Sequence, residues 1–419
     1  MIKPKVISVI PHEPNYEAYV MSKRPEINWD TQDGTWVGIW GYDWADEIAK
    51  EILNVSDEFE MEVWRPDFRA KKVYEHRFTR PNRTSYVHKV FPASQTVQRL
   101  GMKKVGELVS PEIIAAIKSE FKERSIIVHL HGNVVQLNQD ILAVCEEIPV
   151  LNTFHGIIHM PKEYIFKWRK NITASYSYYK RSQQLKPLFT NVDYVTYMNN
   201  QNLNYLNELY SGEKIKLTMG CDFDYWKRGA KIIEAPIVFS HASRLIPIKQ
   251  IDKLIEVFSQ LDKERLSNFK LLICGNGETS YEKHLKALAQ PLIDAGKIEF
   301  TGYLTGDEML DIYHKSDVFM ATSVSEGCSV AVVKAMACEV PVFSTKVGNT
   351  AEVMEDENCG LLVDTYDYDA WKAALKTILK GEEIEALPHD KARDYYSWET
   401  IARKFLMIYQ QLNAKYYDS

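Results

Sequence analysis

The chain has 419 residues, of which 45% are hydrophobic and 26% are charged, and its formal net charge is −6 at pH 7. This length predicts two domains of about 200 residues each, because one hydrophobic core seldom serves a longer chain. The negative net charge argues against a general nucleic-acid-binding protein, which needs a positive surface to neutralise phosphates. No apolar run approaches the roughly 18 residues that a membrane span requires.

Cysteine usage and the N-terminus bear on localisation. The six cysteines are scattered and form no C-x-x-C pair, and most lie in apolar runs. We therefore expect free thiols that pack as small hydrophobes in a reducing cytoplasm. The first apolar run is only about five residues long, too short for the core of a signal peptide.

Short β-branched runs alternate with helical patterns along the whole chain, which is typical of parallel sheets with crossover helices. In the first half the predicted strands are 6–10, 59–64, 126–130, 150–154 and 194–198. In the second half they are 237–242, 269–275, 298–302, 317–322 and 340–345. The pattern predicts an α/β protein with two doubly wound domains.

The boundary between the predicted domains lies where glycine and proline cluster and the helical periodicity breaks. We predict an N-terminal domain over 1–228 and a C-terminal domain over 229–396. A final helix over 397–419 is predicted to pack back toward the N-terminal domain, since its apolar residues recur on one face.

Two segments of the first half are candidates for contact with an acceptor. Trp36 and Trp40 lie in a stretch with four tryptophans in sixteen residues, 29–44. They either form a platform for acceptor sugar rings or fill a core or interdomain gap. Residues 162–186 carry seven Lys or Arg against one Glu, interleaved with aromatic residues. This segment is either a solvated helix face or a surface for membrane or acidic acceptor contact.

The loops after the second-half strands carry the most informative residues, because open parallel sheets bind ligands beyond the carboxyl ends of their strands. Arg244 and Lys249 follow the strand at 237–242. Gly275 and Gly277 follow the next strand and let the backbone approach a ligand closely. These cations and glycines favour a pyrophosphate.

The loop after the strand at 317–322 has the sequence SVSEGCS and leads into a helix. The backbone N–H groups that open this helix offer a third anion-binding element. Each signal is weak alone, but their order along the chain brings them to one edge of the predicted sheet.

A family resemblance adds to this prediction. The runs SRLIPIKQIDKLIEVF, LLICGNGE, FTGYLTGDEMLDIYHKSDVFMATSVSEGCSVAVVKAMACEVPVFSTKVGNTAEV and GLLVD resemble the donor domain of retaining GT-B nucleotide-sugar glycosyltransferases, the family 4-like group called glycosyl transferases group 1. The likeness covers 237–364 almost continuously, and a fainter one in IIVHLHG, VLNTFHG and IKLTMGCDFDYWKRG covers about 126–229.

The resemblance implies two facing Rossmann-like domains with a cleft between them and a C-terminal crossover helix. It implies sugar transfer from a nucleotide-diphosphate sugar to a glycan, lipid-linked or glycoconjugate acceptor, with retention of configuration and no cofactor. We expect a cytoplasmic protein in which the segment 162–186 would provide peripheral contact with the inner face of a membrane. A non-catalytic sugar-binding relative and a GT-B epimerase or phosphorylase remain as alternatives.

The resemblance also implies residue roles. Arg244 and Lys249 would hold the donor diphosphate, Glu326 would contact the donor sugar, and His155 would lie near the reacting carbon from the other domain. The backbone amides of Gly327, Cys328 and Ser329 would bind the diphosphate. Gly275, Gly277 and Lys334 would contact the nucleotide. His155 has a plainer alternative as a core histidine at a strand end.

A metal is not required by this chemistry, because fixed positive charge stabilises a departing phosphate. The D-x-D in CDFDYW and the pair His129 and His131 are weak metal signals, since neither completes a coordination shell by its spacing. We therefore predict no metal site.

Two residues depart from the resemblance. Lys334 stands where the family has a glutamate that accepts hydrogen bonds from ribose, whereas an ammonium only donates. Lys334 therefore makes an atypical ribose contact, neutralises an anionic group of the donor, or marks a lost donor site. Glu339 stands where relatives have glycine after a helix, which predicts local strain or a shifted turn.

Overall fold

The computed structural model describes residues 2–10, 44–79, 85–100, 103–132, 135–155, 185–229, 236–266, 268–277 and 279–418. The predicted acceptor residues Trp36 and Trp40 lie outside these described residues, as does 162–184 of the basic aromatic segment. The described chain forms two compact units. The first holds the described residues up to Leu217 together with Trp398–Asp418, and the second holds Thr218–Ser397.

An eight-stranded sheet forms the centre of the first unit. Its strands have the order β10-β9-β8-β7-β1-β2-β4-β3, and every pair is parallel except β3 with β4. The strands of this sheet are β1 (Lys5–Val9), β2 (Glu60–Asp67), β3 (Tyr74–Thr79), β4 (Ser85–Pro92), β7 (Ile126–His131), β8 (Val150–Phe154), β9 (Tyr194–Tyr197) and β10 (Glu213–Lys216). A separate hairpin consists of β5 (Ser94–Leu100) and β6 (Lys103–Val109).

Helices cover both faces of this sheet. They are α1 (Trp44–Val55), α2 (Pro111–Glu123), α3 (Val135–Leu142), α4 (Asn200–Asn207) and, at the end of the chain, α12 (Trp398–Tyr417). The apolar positions of α12 at i, i+4, i+7 and i+11 are all buried: Ile401, Phe405, Ile408 and Leu412. They pack with α1 over one face of the sheet, so the last helix belongs to the core of the first unit.

The second unit contains a six-stranded parallel sheet with the order β13-β12-β11-β14-β15-β16. Its strands are β11 (Ile237–Ala242), β12 (Phe269–Cys274), β13 (Ile298–Gly302), β14 (Val318–Ala321), β15 (Val342–Thr345) and β16 (Leu361–Val363). Its helices are α5 (Ile251–Lys263), α6 (Thr279–Asp294), α7 (Gly306–Lys315), α8 (Val330–Ala337), α9 (Gly348–Asp356), α10 (Tyr368–Leu379) and α11 (His389–Tyr396). Counted along the chain, the strand order is 3-2-1-4-5-6, the doubly wound Rossmann order.

All ten predicted strands are confirmed, with bounds that differ by three residues or fewer. The strands that the sequence pattern did not predict are β3, β4 and β10 at or next to the edges of the first sheet, β16 at the edge of the second sheet, and the separate hairpin of β5 and β6. The second unit begins at Thr218, about ten residues before the predicted boundary, since Cys221, Phe223 and Trp226 are buried in its core. None of the described helices is long and apolar enough to cross a membrane.

Candidate functional site

The sheet order of the second unit places its candidate site between β11 and β14. These strands are hydrogen-bonded neighbours, but β11 leads toward β12 on one side whereas β14 leads toward β15 on the other. Such a switch in direction opens a crevice at the carboxyl ends of the two strands, which is where open α/β sheets bind ligands. The loops that follow β11 and β14 therefore meet at the most favourable position of this unit.

Hydrogen bonds join these two loops directly. The Thr322 hydroxyl donates to the carbonyl of Lys249 at 2.8 Å, and the Val324 amide donates to the carbonyl of Ile248 at 2.8 Å. The pairing fixes the loop that carries the predicted cations against the loop that carries the predicted acid. Thr322 and Val324 had no distinguishing signal in the sequence.

Glu326 is held by two donors. The Lys249 ammonium donates to Glu326 Oε1 in an ion pair, and the Ser323 hydroxyl donates to the same oxygen at 2.6 Å. Both charged side chains are largely buried, with exposed fractions of 16% and 18%. These two donors fix the position of the carboxylate. The sequence had predicted separate roles for Lys249 and Glu326 and did not predict their contact.

Arg244 stands apart from this ion pair. Its side chain is exposed, and within the described residues it forms no ion pair. The charge of Lys249 is balanced by Glu326, whereas the guanidinium of Arg244 has no carboxylate partner in the part of the chain that the structure describes. Such a group binds phosphate oxygens in a bidentate manner.

Gly275 and Gly277 bring the backbone after β12 close to a neighbouring loop. A Cβ at Gly275 would lie 1.9 Å from the carbonyl oxygen of Ser243, and a Cβ at Gly277 would lie 2.0 Å from that of Leu245. The Leu245 amide donates to the carbonyl of Asn276 at 2.8 Å. The two glycines therefore let the backbone after β12 approach the loop that carries Arg244. Their position at the sheet edge leaves the predicted nucleotide contact as a proposal.

A buried histidine also supports this loop. The two ring nitrogens of His241, on β11, lie 2.9 Å from the carbonyl oxygen of Met320 and 2.8 Å from the hydroxyl of Ser243. Burial lowers the pKa of His241 to about 4, so the ring is neutral at pH 7 and donates from one nitrogen only. His241 thus connects β14 with the residue before Arg244. The sequence analysis missed it because one histidine in an apolar strand carries no motif.

Helix α8 begins directly after Gly327, Cys328 and Ser329, as the sequence predicted, and the last of these is its N-cap. Burial raises the pKa of the Cys328 thiol to about 12, so the thiol is neutral at pH 7. The loop is backed by Gly348, which has φ +79° and whose Cβ would lie 2.8 Å from Glu326 Cβ. The Asn349 amide then donates to the carbonyl of Gly327 at 2.9 Å.

Lys334 lies in the second half of α8. Its ammonium is 4.3 Å from the ring centroid of Trp226, a cation–π contact. Burial lowers the Lys334 pKa, and no carboxylate among the described residues pairs with it. Among the described residues, Lys334 is therefore a partly buried cation that lies against an aromatic face and has no carboxylate partner.

The end of α8 shows the strain predicted at Glu339. This residue has φ +52°, the left-handed conformation, and the Val340 amide donates to the carbonyl of Ala335 at 2.9 Å. The geometry is a Schellman-type helix end, in which glycine is the usual left-handed residue. The expected strain is confirmed, and the turn keeps its usual form.

The first unit places His155 directly after β8 and beside His131 of β7, with ring centroids 6.3 Å apart. Burial lowers the pKa of His155 to about 4 and lowers the pKa of His129 and His131 well below the usual range, so all three rings are neutral at pH 7. Trp44 contacts both His131 and His155. Within the described residues, no group of three or more His, Cys, Asp and Glu side chains has the geometry of a metal site.

Comparisons with known proteins support the family resemblance. Residues 222–395 match the family described as Glycosyl transferases group 1. The chain is 26% identical over 189 residues to a D-inositol 3-phosphate glycosyltransferase of Saccharomonospora viridis, which covers 43% of this chain and 44% of that protein. The match therefore spans less than half the length of this curated relative.

Solved structures are similar over nearly the whole chain. A sucrose-phosphate synthase from Thermosynechococcus elongatus has a TM-score of 0.68 at 16% identity, covering 99% of this chain and all of that one. The Anabaena protein Alr3699/HepE in complex with UDP has a TM-score of 0.63 at 13% identity, covering 97% of this chain and all of that one. At these identities the likeness concerns the fold, and it confirms the predicted GT-B class.

Proposed function

We propose that this chain, whose residues 222–395 match the family glycosyl transferases group 1, transfers a sugar from a nucleotide-diphosphate sugar to a glycan, lipid-linked or glycoconjugate acceptor with retention of configuration. The observation that carries the proposal is the pair of loops at the switch point of the second sheet. They bring an exposed arginine, a lysine–glutamate ion pair and the start of α8 to one edge.

The leaving group determines how these residues act. Departure of a nucleoside diphosphate leaves negative charge on phosphate, and preorganised positive charge lowers that barrier. Arg244 and Lys249 bind the diphosphate together with the amides of 327–329 at the N-terminus of α8. Glu326, fixed by Lys249 and Ser323, accepts hydrogen bonds from hydroxyls of the donor sugar.

Retention follows from attack on the face that the diphosphate leaves. The acceptor hydroxyl forms the new bond to the anomeric carbon as the bond to the phosphate oxygen breaks, and the departing phosphate takes the acceptor proton. For His155, which is neutral at pH 7, we propose the role of a hydrogen-bonding group that carries no charge. Sugar transfer by this scheme requires no cofactor.

Lys334 is proposed to contact the nucleotide. Its ammonium lacks a carboxylate partner in the described part of the chain, so an anionic or hydroxyl-bearing nucleotide group supplies the acceptor that it lacks. The same observation supports a second candidate function, a sugar-binding relative without donor chemistry. In that case the Trp226 contact would be the whole role of Lys334.

The first test is thermal stabilisation of the full chain by UDP, GDP, ADP and their glucose conjugates. A ligand at 100 times its Kd raises the free energy of unfolding by about 2.7 kcal/mol. We expect one nucleotide to stabilise the wild type and Arg244→Ala to lose that shift. Lys315→Ala is the matched control, because Lys315 is 66% exposed at the far end of α7.

Binding alone does not separate a transferase from a binding protein. Incubation with the stabilising nucleotide sugar and a mixture of glycan acceptors, followed by NMR of the new anomeric centre, tests transfer and retention together. Absence of stabilisation by every nucleotide would refute the donor site, and an inverted product would refute retention. Free sugar released without an acceptor would favour the epimerase alternative.

A further inference from the structure

Gln250 connects three loops at the carboxyl edge of the second sheet. It directly follows Lys249, is the N-cap residue of α5 and is only 5% exposed. Its side-chain amide lies 2.8 Å from the carbonyl oxygen of Thr322, 3.1 Å from that of Thr365 and 2.9 Å from the hydroxyl of Tyr368. These partners belong to the loop after β14, the loop after β16 and the first residue of α10.

The chemistry of these partners determines the orientation of the amide. Carbonyl oxygens only accept hydrogen bonds, so the amide nitrogen of Gln250 faces Thr322 and Thr365 and donates to both. The amide oxygen then accepts from the hydroxyl of Tyr368. Both N–H groups and the oxygen are therefore used, as is usual for a buried amide.

The backbone of Gln250 is strained. Its φ of +50° and ψ of 35° define the left-handed conformation, which residues other than glycine seldom adopt. Such strain persists only where the surroundings determine the conformation, and it is concentrated at ligand sites. Glycine would form the same turn without strain, so the turn by itself does not require a glutamine. The side-chain amide is what distinguishes Gln250 from glycine here.

The loop after β16 gives this amide a fixed anchor. The buried indole of Trp371 donates from Nε1 to the carbonyl of Asp364 at 2.8 Å. The side chain of Asp367 caps the N-terminus of α10. Thr365 lies between these two fixed residues, so its carbonyl is a well-positioned acceptor for Gln250.

The same amide restrains Lys249. The carbonyl of Lys249 accepts from the Thr322 hydroxyl, and the carbonyl of Thr322 accepts from the Gln250 side chain. Two consecutive residues are thus bonded to Thr322. The ammonium of Lys249 in turn forms the ion pair with Glu326. A displacement of Gln250 would therefore displace Lys249 and the carboxylate that it holds.

We propose that the side-chain amide of Gln250 is a positioning group for the donor site, which holds Lys249, and through it Glu326, where they bind the nucleotide diphosphate. This inference rests on the proposed function. Gln250 acts through Lys249, so it is a positioning residue and makes no contact of its own with the ligand.

The test compares two variants of the full chain that lose the amide. The Kd is measured by NMR titration with whichever of UDP, GDP and ADP binds the wild type most tightly, and stability is measured by denaturant unfolding. Only glycine relieves the left-handed strain, so Gln250→Gly should be more stable than Gln250→Ala. Both should nevertheless bind the nucleotide about tenfold more weakly than wild type, because both misplace the Lys249 cation. Wild-type affinity in Gln250→Gly would overturn the inference.

A double-mutant cycle with Lys249 separates positioning from a general structural effect. If Gln250 acts through Lys249, Gln250→Gly should change the Kd by less than about twofold in a Lys249→Ala background. A loss of affinity as large as that in the wild-type background would contradict the inference.

Two tyrosines at the start of α5 provide a matched comparison. Tyr368→Phe removes the hydroxyl that donates to Gln250 and should weaken nucleotide binding. Tyr281→Phe is the control, because its hydroxyl donates to Asp252, two residues after Gln250, at 3.0 Å. We expect the wild-type Kd in this control, and equal losses in the two variants would overturn the inference. If the wild type binds none of the nucleotides, the proposed function fails and this inference with it, whereas nucleotide binding that does not depend on Gln250 overturns this inference alone.

Discussion

Substitution of Gly275 by alanine tests how the second unit positions Arg244. The new Cβ would lie 1.9 Å from the Ser243 carbonyl oxygen, and φ at this position is +131°, which L residues rarely adopt. Backbone strain of this kind costs about 1–3 kcal/mol, and overpacking adds about 1–3 kcal/mol. The loop of Ser243 and Arg244 must therefore move, so we expect a loss of about 3 kcal/mol in the free energy of unfolding and weaker nucleotide binding.

Gly296→Ala provides the control for strain alone. Gly296 has φ +72°, but a Cβ there would meet no atom within 4 Å. Its cost should be about 1 kcal/mol with unchanged nucleotide stabilisation. Denaturant unfolding and thermal shift with UDP measure both effects. Equal destabilisation of the two variants, with UDP binding intact in Gly275→Ala, would refute the claim that close backbone approach holds the Arg244 loop.

Three further outcomes follow from single residues. Glu339→Gly should be more stable than Glu339→Ala by about 1 kcal/mol in denaturant unfolding, because only glycine relieves the left-handed strain. Equal stability of the two variants would contradict this explanation. When the pH falls from 7 to 5, His241 takes up a proton in the unfolded chain but not in the folded one, where its pKa is about 4. The free energy of unfolding therefore falls by about 2 kcal/mol. His241→Asn should lose that part of the pH dependence, which melting curves at both pH values would show. Lys334→Met should raise the free energy of unfolding without ligand, because it removes a cation buried against Trp226. The same variant should show a smaller thermal shift with nucleotide, and an unchanged shift would contradict the nucleotide contact.

The sequence predicted the parts of the fold that depend on periodicity. Buried parallel strands are continuous apolar runs, and all ten predicted ones are present. Strands such as β3 and β10 were not predicted because polar residues dominate them and their pairing is settled by neighbours distant in sequence. The unit boundary shifted for a similar reason, since Cys221 and Trp226 are committed to the second core only by tertiary packing.

The candidate site was predictable in its residue types but not in its contacts. Arg244, Lys249 and Glu326 follow the expected strands, yet nothing in their spacing indicates that Lys249 and Glu326 form an ion pair. Gly275 and Gly277 were predicted to let the backbone approach a ligand. The structure shows that they let it approach the backbone of Ser243 and Leu245, and the ligand contact stays a prediction. Contacts of this kind depend on the strand order, which periodicity does not determine.

The two units differ in the chemistry that each presents at the switch point of its sheet. The second unit offers an exposed guanidinium and an ion pair, whereas the first offers neutral imidazoles and an indole. A charged site favours a diphosphate, because anion binding there replaces lost hydration with fixed positive charge. A neutral, buried site would reject the same anion, since desolvating a charge without a countercharge is costly. On the proposed function, the charge of the second unit's site therefore favours a diphosphate donor, whereas the neutral buried groups of the first unit disfavour an anion.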